Sequence, residues 1–443
     1  MRVRTLIVAA ICLVFGAAVL GALPAGALNT VTVDTTTDVV DGGDGLTSLR
    51  EAISEAMTDA DDTTIVLSAA STYTLDLCVG GADEDANVGG DLDYVSGEVL
   101  TIEVAGSGKA TIEQTCANER VLEVDRVAPT TDLVTIRDVI FTGGDARSGS
   151  GAYCDQESGG AICNTLGSLT LERVELRDNF ALTSGAGVAS ADGNAVVPGI
   201  TLTIVDSTIA DNSSGNSGTG VDVSRHGLDM TGSTVSGNTS GSGGGGGVYV
   251  HTTAAGGLNN PASISNSTIS GNSANGPVGG GGVFADGVFL LNLTHTTIAD
   301  NNAPNGPGDA IRTFGSDVRI AASVFASAAD NCFGGVTSEG HNVALDATCG
   351  LTGTGDTESA TPGQLALGAL AANGGETDTA LPGASSILLD VVPTASCAVT
   401  HDQRGVARPQ PAGGNCDIGA VEVAPVLPAI SVPDVTFVED VAG

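Results

Sequence analysis

Tryptophan is absent from the 443-residue chain, and aromatic residues make up only 3% of it. Lysine occurs once, at Lys109, and charged residues of all kinds account for 15%. A globular core usually draws much of its buried area from aromatic side chains. The composition therefore excludes an aromatic-rich core and predicts burial by many small and β-branched side chains, interspersed with 64 glycines.

Positive charge is scarce as well, and the formal net charge is −37. A surface of this sign repels phosphate groups, which argues against nucleic acid and anionic membranes as partners. It attracts cations instead, and acidic clusters such as Asp83-Glu84-Asp85 or Asp91 with Asp93 could hold adventitious calcium. No dedicated cofactor is predicted, because no loop follows the EF-hand spacing.

A long apolar run occurs only at the N-terminus. Arg2 and Arg4 precede an apolar stretch at residues 5–23, and an A-x-A pattern ends at Ala27. This order is typical of a secretory signal peptide, so we predict a secreted or cell-surface protein. A retained membrane anchor is the alternative, since the run is long enough to span a bilayer. No membrane span is predicted in the mature chain.

Nine cysteines occur, and eight remain when Cys12 is assigned to the signal peptide. An even number in an exported chain indicates disulfide bonds. Pairing neighbours in sequence gives four candidate bonds, although sequence leaves the connectivity open: Cys78–Cys116, Cys154–Cys163, Cys332–Cys349 and Cys397–Cys416. A zinc site is the alternative, but no CxxC or paired-ligand spacing supports it.

An eleven-residue phrase recurs along the chain. Its copies begin at Val134, Leu169, Leu202, Leu228, Ala262, Leu291 and, in degenerate form, Val318. Most copies alternate apolar and polar residues at the start, as in Leu202-Thr203-Ile204, which is the pattern of a half-buried strand. A second apolar residue follows five positions later, as at Ile209, and then a Gly/Ser-rich turn and another short apolar strand.

One such repeat cannot bury its own apolar face, but a stack of them can. We therefore predict an all-β fold, a right-handed single-stranded parallel β-helix in which each repeat is one coil. Neighbouring rungs would lie about 4.8 Å apart. Leucine-rich repeats and propeller blades fit less well, because the leucine spacing and the aromatic signatures are missing. In a β-helix, Ile209, Val235 and Ile269 should stack inside.

Most phrases end in Asp-Asn or Gly-Asn. The recurrent asparagines are predicted to stack at one corner as a structural ladder: Asn179, Asn212, Asn238, Asn272 and Asn301. A stacked amide can bond to the coils on both sides, and asparagine tolerates left-handed turn geometry. A line of ligand-binding amides is the alternative. Asp178, Asp211 and Asp300 form a second column, which glycine interrupts.

A short amphipathic helix is predicted before the repeats, at SLREAISEAM from residue 48 to 57. Ser48 and Glu51 have the spacing of a capping box. Leu49, Ala52 and Ile53 begin one apolar face. An uncapped first coil would expose core and unpaired strand edges, so we expect this helix to cover it.

Two segments resemble known families. Residues 29–57 resemble the CSLREA motif of exported bacterial β-helix proteins, with Thr47 where that motif has its cysteine. Residues 402–422, beginning Asp-Gln-Arg-Gly, are similar to the choice-of-anchor Q domain. The resemblance brackets residues 29–423. It implies a pectin lyase-like β-helix fold and an extracellular or cell-surface location, but no reaction.

The expected organisation has five parts. They are a signal peptide at 1–27, an N-terminal strand and capping helix at 28–62, β-helix repeats at 63–345, a C-terminal choice-of-anchor Q-like segment at 346–423, and a linker with the start of a truncated module at 424–443.

No catalytic, cofactor-binding or metal-ligating residue is predicted. Glycoside hydrolysis needs two carboxylates at a fixed separation, and the aspartate column is broken at Gly237 and Gly271. A lyase needs a basic residue to abstract a proton, and no basic cluster is evident. The histidines follow no metal spacing and are predicted at turns or on the surface: His226, His251, His295, His341 and His401.

These observations favour a non-enzymatic secreted or cell-surface scaffold for adhesion, surface display, or binding of a glycan or protein. The alternative is an extracellular polysaccharide lyase, glycoside hydrolase or polysaccharide binder of the pectate-lyase-like fold. The two hypotheses differ in one structural expectation. Acidic, arginine and aromatic side chains should scatter over a plain scaffold, but converge on one groove in an enzyme.

Overall fold

The structure is a computed structural model, and it describes residues 28–78, 86–125, 133–147, 157–165, 167–191, 199–252 and 260–424. The predicted signal peptide and the predicted module after residue 424 lie outside the described residues. None of the helices in the described ranges is both long and apolar enough to cross a membrane.

Each repeat forms one coil of a parallel β-helix, as predicted. In one coil, Thr201–Val205 lies in the first sheet, Thr208–Ala210 in the second, Ser213–Ser214 in the fourth and Val221–Ser224 in the third. Each strand pairs in parallel with its counterpart in the next coil. The sheets therefore run along the axis of a solenoid.

Four parallel sheets contain most of the strands. The first sheet has eleven: Asn29–Thr32, Thr63–Ser68, Leu100–Ala105, Leu133–Arg137, Ser168–Glu172, Thr201–Val205, Gly227–Thr231, Ala262–Ser265, Leu291–Thr294, Val318–Ala321 and Thr337–Gly340. The second has ten: Thr72–Leu75, Ala110–Gln114, Val139–Thr142, Glu175–Arg177, Thr208–Ala210, Thr234–Ser236, Thr268–Ser270, Thr297–Ala299, Val324–Ala326 and Val343–Ala344. The third has nine: Leu92–Val95, Leu122–Asp125, Ile162–Thr165, Val188–Ala191, Val221–Ser224, Val248–His251, Val283–Asp286, Ile311–Phe314 and Cys332–Phe333. The fourth has five very short strands: Asp145–Ala146, Phe180–Ala181, Ser213–Ser214, Thr239–Ser240 and Ser273–Ala274.

The core consists of aliphatic columns that run along the axis. Ile209, Val235 and Ile269 occupy successive rungs of the second sheet, and each is fully buried, as predicted. Leu202 and Leu228 stack in the same way in the first sheet. Each coil thus buries its aliphatic residues against the coils next to it, which compensates for the scarcity of aromatic side chains.

Two corners of the coil require a left-handed residue. Before the asparagine ladder these residues have φ between 56° and 69°: Asp178, Asp211, Gly237, Gly271 and Asp300. Between the first and second sheets φ lies between 44° and 63°: Asp138, Arg173, Asp206, Gly232, Asn266, His295 and Ala322. Glycine, asparagine and aspartate tolerate this conformation best. The interrupted aspartate column is therefore explained by backbone geometry.

The five asparagines of the repeat form a continuous ladder. Asn212 accepts from the backbone N–H and the side-chain amide of Asn179, at 3.1 and 3.0 Å. Asn238 accepts from Asn212 in the same way, and the pattern continues through Asn272 to Asn301. The asparagines do not adopt left-handed geometry themselves, although their tolerance of it was one reason to predict the ladder. The residue before each asparagine is left-handed instead.

A second ladder of hydroxyl groups lies between the first and second sheets, and it was not predicted. Ser207, Ser233 and Ser267 follow one another there, each accepting a hydrogen bond from a backbone N–H of the preceding coil at 3.0 to 3.2 Å. All three are the sixth residue of the repeated phrase. That recurrence was the signal from which the ladder could have been predicted.

The helix α1, Leu49–Thr58, covers the first coil. Its N-terminus has the predicted capping box, in which Ser48 accepts from the backbone of Glu51 and Glu51 accepts from the backbone of Ser48. Arg50, in the first turn of this helix, is fully buried. Its guanidinium makes two bonds to the Asp38 carboxylate, at 2.8 and 3.0 Å, and two more to the carbonyls of residues 90 and 91. The ion pair holds the N-terminal segment to the helix, and the bonds to the two carbonyls join the helix to the solenoid.

The C-terminal segment contains the helix α2, Pro362–Leu365, an antiparallel pair of strands, Leu367–Ala371 with Thr379–Pro382, and a short 3-10 helix, Thr394–Ser396. It folds back over the outer face of the second sheet. Gln403 is inserted there between Thr234 and Thr268, with bonds of 2.8 and 2.6 Å.

Further contacts extend this docking along the axis. The backbone N–H of Gly419 donates to the carbonyl of Ala322, and that of Ala420 donates to the Thr297 hydroxyl. Arg408 and Glu422 form an ion pair with fully buried side chains, 3.0 Å apart, within the segment. The Asp-Gln-Arg-Gly sequence at 402–405 therefore has a structural role in attaching this segment to the coils.

Three of the four candidate disulfides are present: Cys78–Cys116, Cys332–Cys349 and Cys397–Cys416. Cys154 lies outside the described residues, so the pair Cys154–Cys163 stays a prediction.

Candidate functional site

Three exposed phenylalanines lie in successive coils, at or just after strands of the third sheet. Phe314 ends a strand of the third sheet, Phe333 ends the next strand, and Phe289 follows the strand before them. Their exposures are 66%, 50% and 59%, and no other phenylalanine in the described residues is as exposed. Exposed aromatic side chains that cluster on one face commonly mark a binding surface. This concentration is notable in a chain with so few aromatic residues.

A stack of side chains connects these coils. In five successive coils, the second residue of the third-sheet strand faces away from the core; these residues are Asp222, Tyr249, Phe284, Arg312 and Phe333. The rings of Tyr249 and Phe284 are parallel within 4° and 4.8 Å apart. The guanidinium of Arg312 lies 5.1 Å from the ring of Phe284 and 5.9 Å from that of Phe333, which are cation–π distances.

Polar groups frame this stack at one end. The ring of His251 lies 4.2 Å from that of Tyr249, and its Nε2 lies 3.1 Å from the Asp222 carboxylate. The Tyr249 hydroxyl donates to Asp286 at 3.4 Å. Burial, together with the charges of Asp222 and Asp286, raises the pKa of Tyr249, so its hydroxyl remains a donor.

We call this surface the aromatic flank. It comprises Asp222, Tyr249, His251, Phe284, Asp286, Phe289, Arg312, Phe314 and Phe333. The stacked rings cover one another's faces, so a ligand would contact the ring edges, the exposed phenyl groups and the polar groups of His251 and Asp286. Such a surface suits a molecule that combines apolar C–H groups with hydroxyl groups. In the described part of this face, a pocket of only about 10 Å³ lies between His226 and Phe289.

The carboxylates of the aromatic flank are not arranged for hydrolysis. Asp222 is 1% exposed and accepts hydrogen bonds from Ser184 and His251. A nucleophilic serine would need the histidine as its base, but here Ser184 bonds to the aspartate instead. The pair of accessible carboxylates that glycoside hydrolysis requires is therefore not formed by Asp222 and Asp286.

Two of the histidines predicted at turns or on the surface lie at turns but are buried, which was not expected. His226 accepts or donates a bond at 2.9 Å to Ser190, which is itself fully buried, and burial lowers the pKa of His226 to about 3. His295 is at a left-handed corner, as expected for a turn, but the C-terminal segment covers it. Burial and then the charge of Arg408 lower its pKa to about 3. Both rings are neutral core side chains.

One acidic group among the described residues has metal-ligand spacing. Carboxylate oxygens of Asp91, Asp93 and Glu123 lie within 4.8 Å of one another, and all three residues are buried. Arg120 contacts Glu123 and lies 3.7 Å from Asp91, so a guanidinium already balances part of their charge. The other predicted calcium cluster, at residues 83–85, lies outside the described residues.

The aromatic flank was not predicted as a site. Its sequence signal was present in two copies of the third strand, where an aromatic residue follows the first valine at Tyr249 and Phe284. Arg312, Phe314 and Phe333 belong to coils whose repeats are degenerate, so their alignment with these residues depends on the observed register.

Comparison with protein-family models and with curated proteins found no match for this chain. The resemblance to the CSLREA and choice-of-anchor Q families therefore stays a prediction from the motifs that carry it. What the structure establishes by itself is a disulfide-containing parallel β-helix with aromatic residues concentrated on one flank.

Proposed function

We propose that the protein is a non-enzymatic, secreted or cell-surface β-helix scaffold that binds an extracellular glycan along its aromatic flank. The observation that carries this proposal is the convergence of Phe289, Phe314 and Phe333 with the stack of Tyr249, Phe284 and Arg312 on one face of the solenoid. Three disulfides support an extracellular location, since such bonds persist in oxidising compartments.

The geometry of the aromatic flank fits an extended sugar chain. Phe289, Phe314 and Phe333 are exposed in three successive coils, whose rungs lie about 4.8 Å apart, so a ligand with a regular repeat can contact several coils. Sugar rings offer C–H faces to phenyl groups and hydroxyl groups to carboxylates, guanidinium and phenol. The flank includes Asp222 and Asp286, and the chain carries a net charge of −37. A neutral glycan is therefore favoured over a polyuronate.

The same geometry favours binding over cleavage. Asp222 is buried, and its two oxygens accept hydrogen bonds from Ser184 and His251. Convergence of aromatic residues argues against a featureless rod. The pocket of about 10 Å³ described between His226 and Phe289 is too small to enclose a sugar ring, which disfavours the polysaccharide-cleaving alternative. Release of products from a polysaccharide would instead support cleavage.

Replacing both Phe314 and Phe333 by alanine is expected to weaken glycan binding by roughly tenfold or more, because two aromatic contacts worth about 1 kcal/mol each would be lost. Affinity electrophoresis of the full chain through gels that contain neutral polysaccharides or polyuronates would measure this. Both side chains are exposed, so the melting temperature should hardly change.

Leu182→Ala is the matched control, because Leu182 is an exposed apolar residue on a different face, beside the fourth sheet. It should bind like the unchanged protein. Equal retardation of the Phe314/Phe333 variant, or no retardation in any polysaccharide, would refute the proposal. Release of reducing ends or unsaturated products would establish the enzyme alternative instead.

A further inference from the structure

A polar cavity of about 380 Å³ lies between the solenoid and the docked C-terminal segment. The solenoid contributes Asp206 and Asn266, and the C-terminal segment contributes Glu376, His401 and residues 402–405. The cavity is separate from the aromatic flank, because it lies at the corner between the first and second sheets.

The cavity occupies a gap in a column of side chains. Asp206, Gly232 and Asn266 are successive residues of the left-handed corner between the first and second sheets. Gly232 has no side chain, so one rung of the column is vacant between a carboxylate and an amide. The Asp206 carboxylate reaches into this gap, since a Cβ at Gly232 would lie only 2.0 Å from its Oδ1.

Asn266 has an unused acceptor at this cavity. The residue is 8% exposed, and its amide nitrogen donates to the backbone carbonyl of His401 at 2.6 Å. Its Oδ1 is buried and has no hydrogen-bond partner. A buried polar atom without a partner costs about 1–3 kcal/mol, so such atoms usually have a ligand or water that the protein alone does not supply.

The charges around the cavity are predominantly negative. Asp206 and Glu376 face it from the two sides, and Arg404 is already paired with Asp402 at 2.9 Å. Burial, and then the negative charge of Glu376, raise the pKa of Asp206. Two carboxylates from different parts of the chain thus repel each other across a cavity that a cation could fill.

We propose that this cavity binds a divalent cation, Ca²⁺, through the carboxylates of Asp206 and Glu376 and the amide oxygen of Asn266. Calcium takes carboxylate and amide oxygens and completes its coordination with water, for which the cavity has room. The ion would join the solenoid to the C-terminal segment and supply the partner that Oδ1 of Asn266 lacks.

The test is calcium titration of the full chain by calorimetry, together with thermal unfolding in CaCl₂ and in EDTA. We expect Ca²⁺ to bind and to raise the melting temperature. Asp206→Asn and Glu376→Gln should each weaken binding roughly tenfold or more, because calcium affinity depends on the number of charged ligands. Both variants keep the shape of the side chain, and asparagine tolerates the left-handed φ of position 206.

Asp178→Asn is the matched control, because Asp178 has the same left-handed conformation at another corner of the coil and is exposed. It should bind Ca²⁺ like the unchanged protein. Asp93→Asn tests the buried group of Asp91, Asp93 and Glu123. The proposal is overturned if Ca²⁺ does not bind, or if binding survives both cavity substitutions. Loss of binding in Asp93→Asn alone would place the ion at the buried acidic group and would equally overturn the proposal.

Discussion

Replacing Asp38 by alanine is expected to destabilise the protein by about 3–5 kcal/mol, because it leaves the guanidinium of Arg50 buried without its counter-charge. Both side chains of this pair are essentially inaccessible, and their two contacts are 2.8 and 3.0 Å. Asp38 also accepts from the backbone N–H groups of Asp76 and Leu77 at 3.0 Å. Its loss would therefore loosen α1 and the first coil together.

Chemical denaturation followed by circular dichroism would measure this loss. Asp317→Ala is the matched control, since Asp317 also pairs with an arginine, Arg319, but on the exposed surface. Solvent and salt screen that pair, so little change is expected. A double variant, Asp38→Leu with Arg50→Met, should recover only part of the loss. It leaves no buried charge, but the N–H groups of Asp76 and Leu77 and the carbonyls of residues 90 and 91 lose their partners. Equal stability of Asp38→Ala and Asp317→Ala would contradict the importance given to the buried pair.

Asn238→Ala, at the centre of the asparagine ladder, is expected to cost about 3–5 kcal/mol. The substitution leaves the backbone N–H and the side-chain amide of Asn212 without their acceptor, and the carbonyl of Ile209 without a donor. Each buried polar group left in this way costs about 1–3 kcal/mol. The loss in unfolding free energy can be measured by urea denaturation.

Asn216→Ala serves as the control, because Asn216 is exposed and lies outside the ladder. Its stability should differ little from that of the unchanged protein. If Asn238→Ala unfolded at the same urea concentration as Asn216→Ala, the ladder would contribute nothing beyond the sheets. A ligand-binding role for these amides is disfavoured by their burial, since the five residues are at most 2% exposed.

The coil could be predicted because its signals are local and repeated. Leu202, Ile204 and Ile209 recur at the same offsets in copy after copy, and each copy has the same neighbours in space. The capping box of Ser48 and Glu51 was equally evident, since both residues belong to one turn of helix. Patterns of this kind depend on short separations in sequence, which is why the fold followed from them.

The sites could not be predicted, because their residues are far apart in sequence. Arg50 meets Asp38 and the carbonyls of residues 90 and 91, up to 41 residues away. Gln403 meets Thr268 across 135 residues. Nothing in the repeat indicates where the C-terminal segment docks, so the cavity between Asp206 and Glu376 had no sequence signal. The burial of His295 has the same cause, since that segment covers it.

The docked C-terminal segment has a consequence for the cooperativity of unfolding. A solenoid couples only neighbouring coils, so distant parts can unfold independently. Here one segment bonds to coils at Gly232, Thr268, Thr297 and Ala322. These four coils must therefore lose their structure as one unit. The earlier coils lack that tie among the described residues and are free to open separately, which makes the two halves distinguishable by hydrogen exchange.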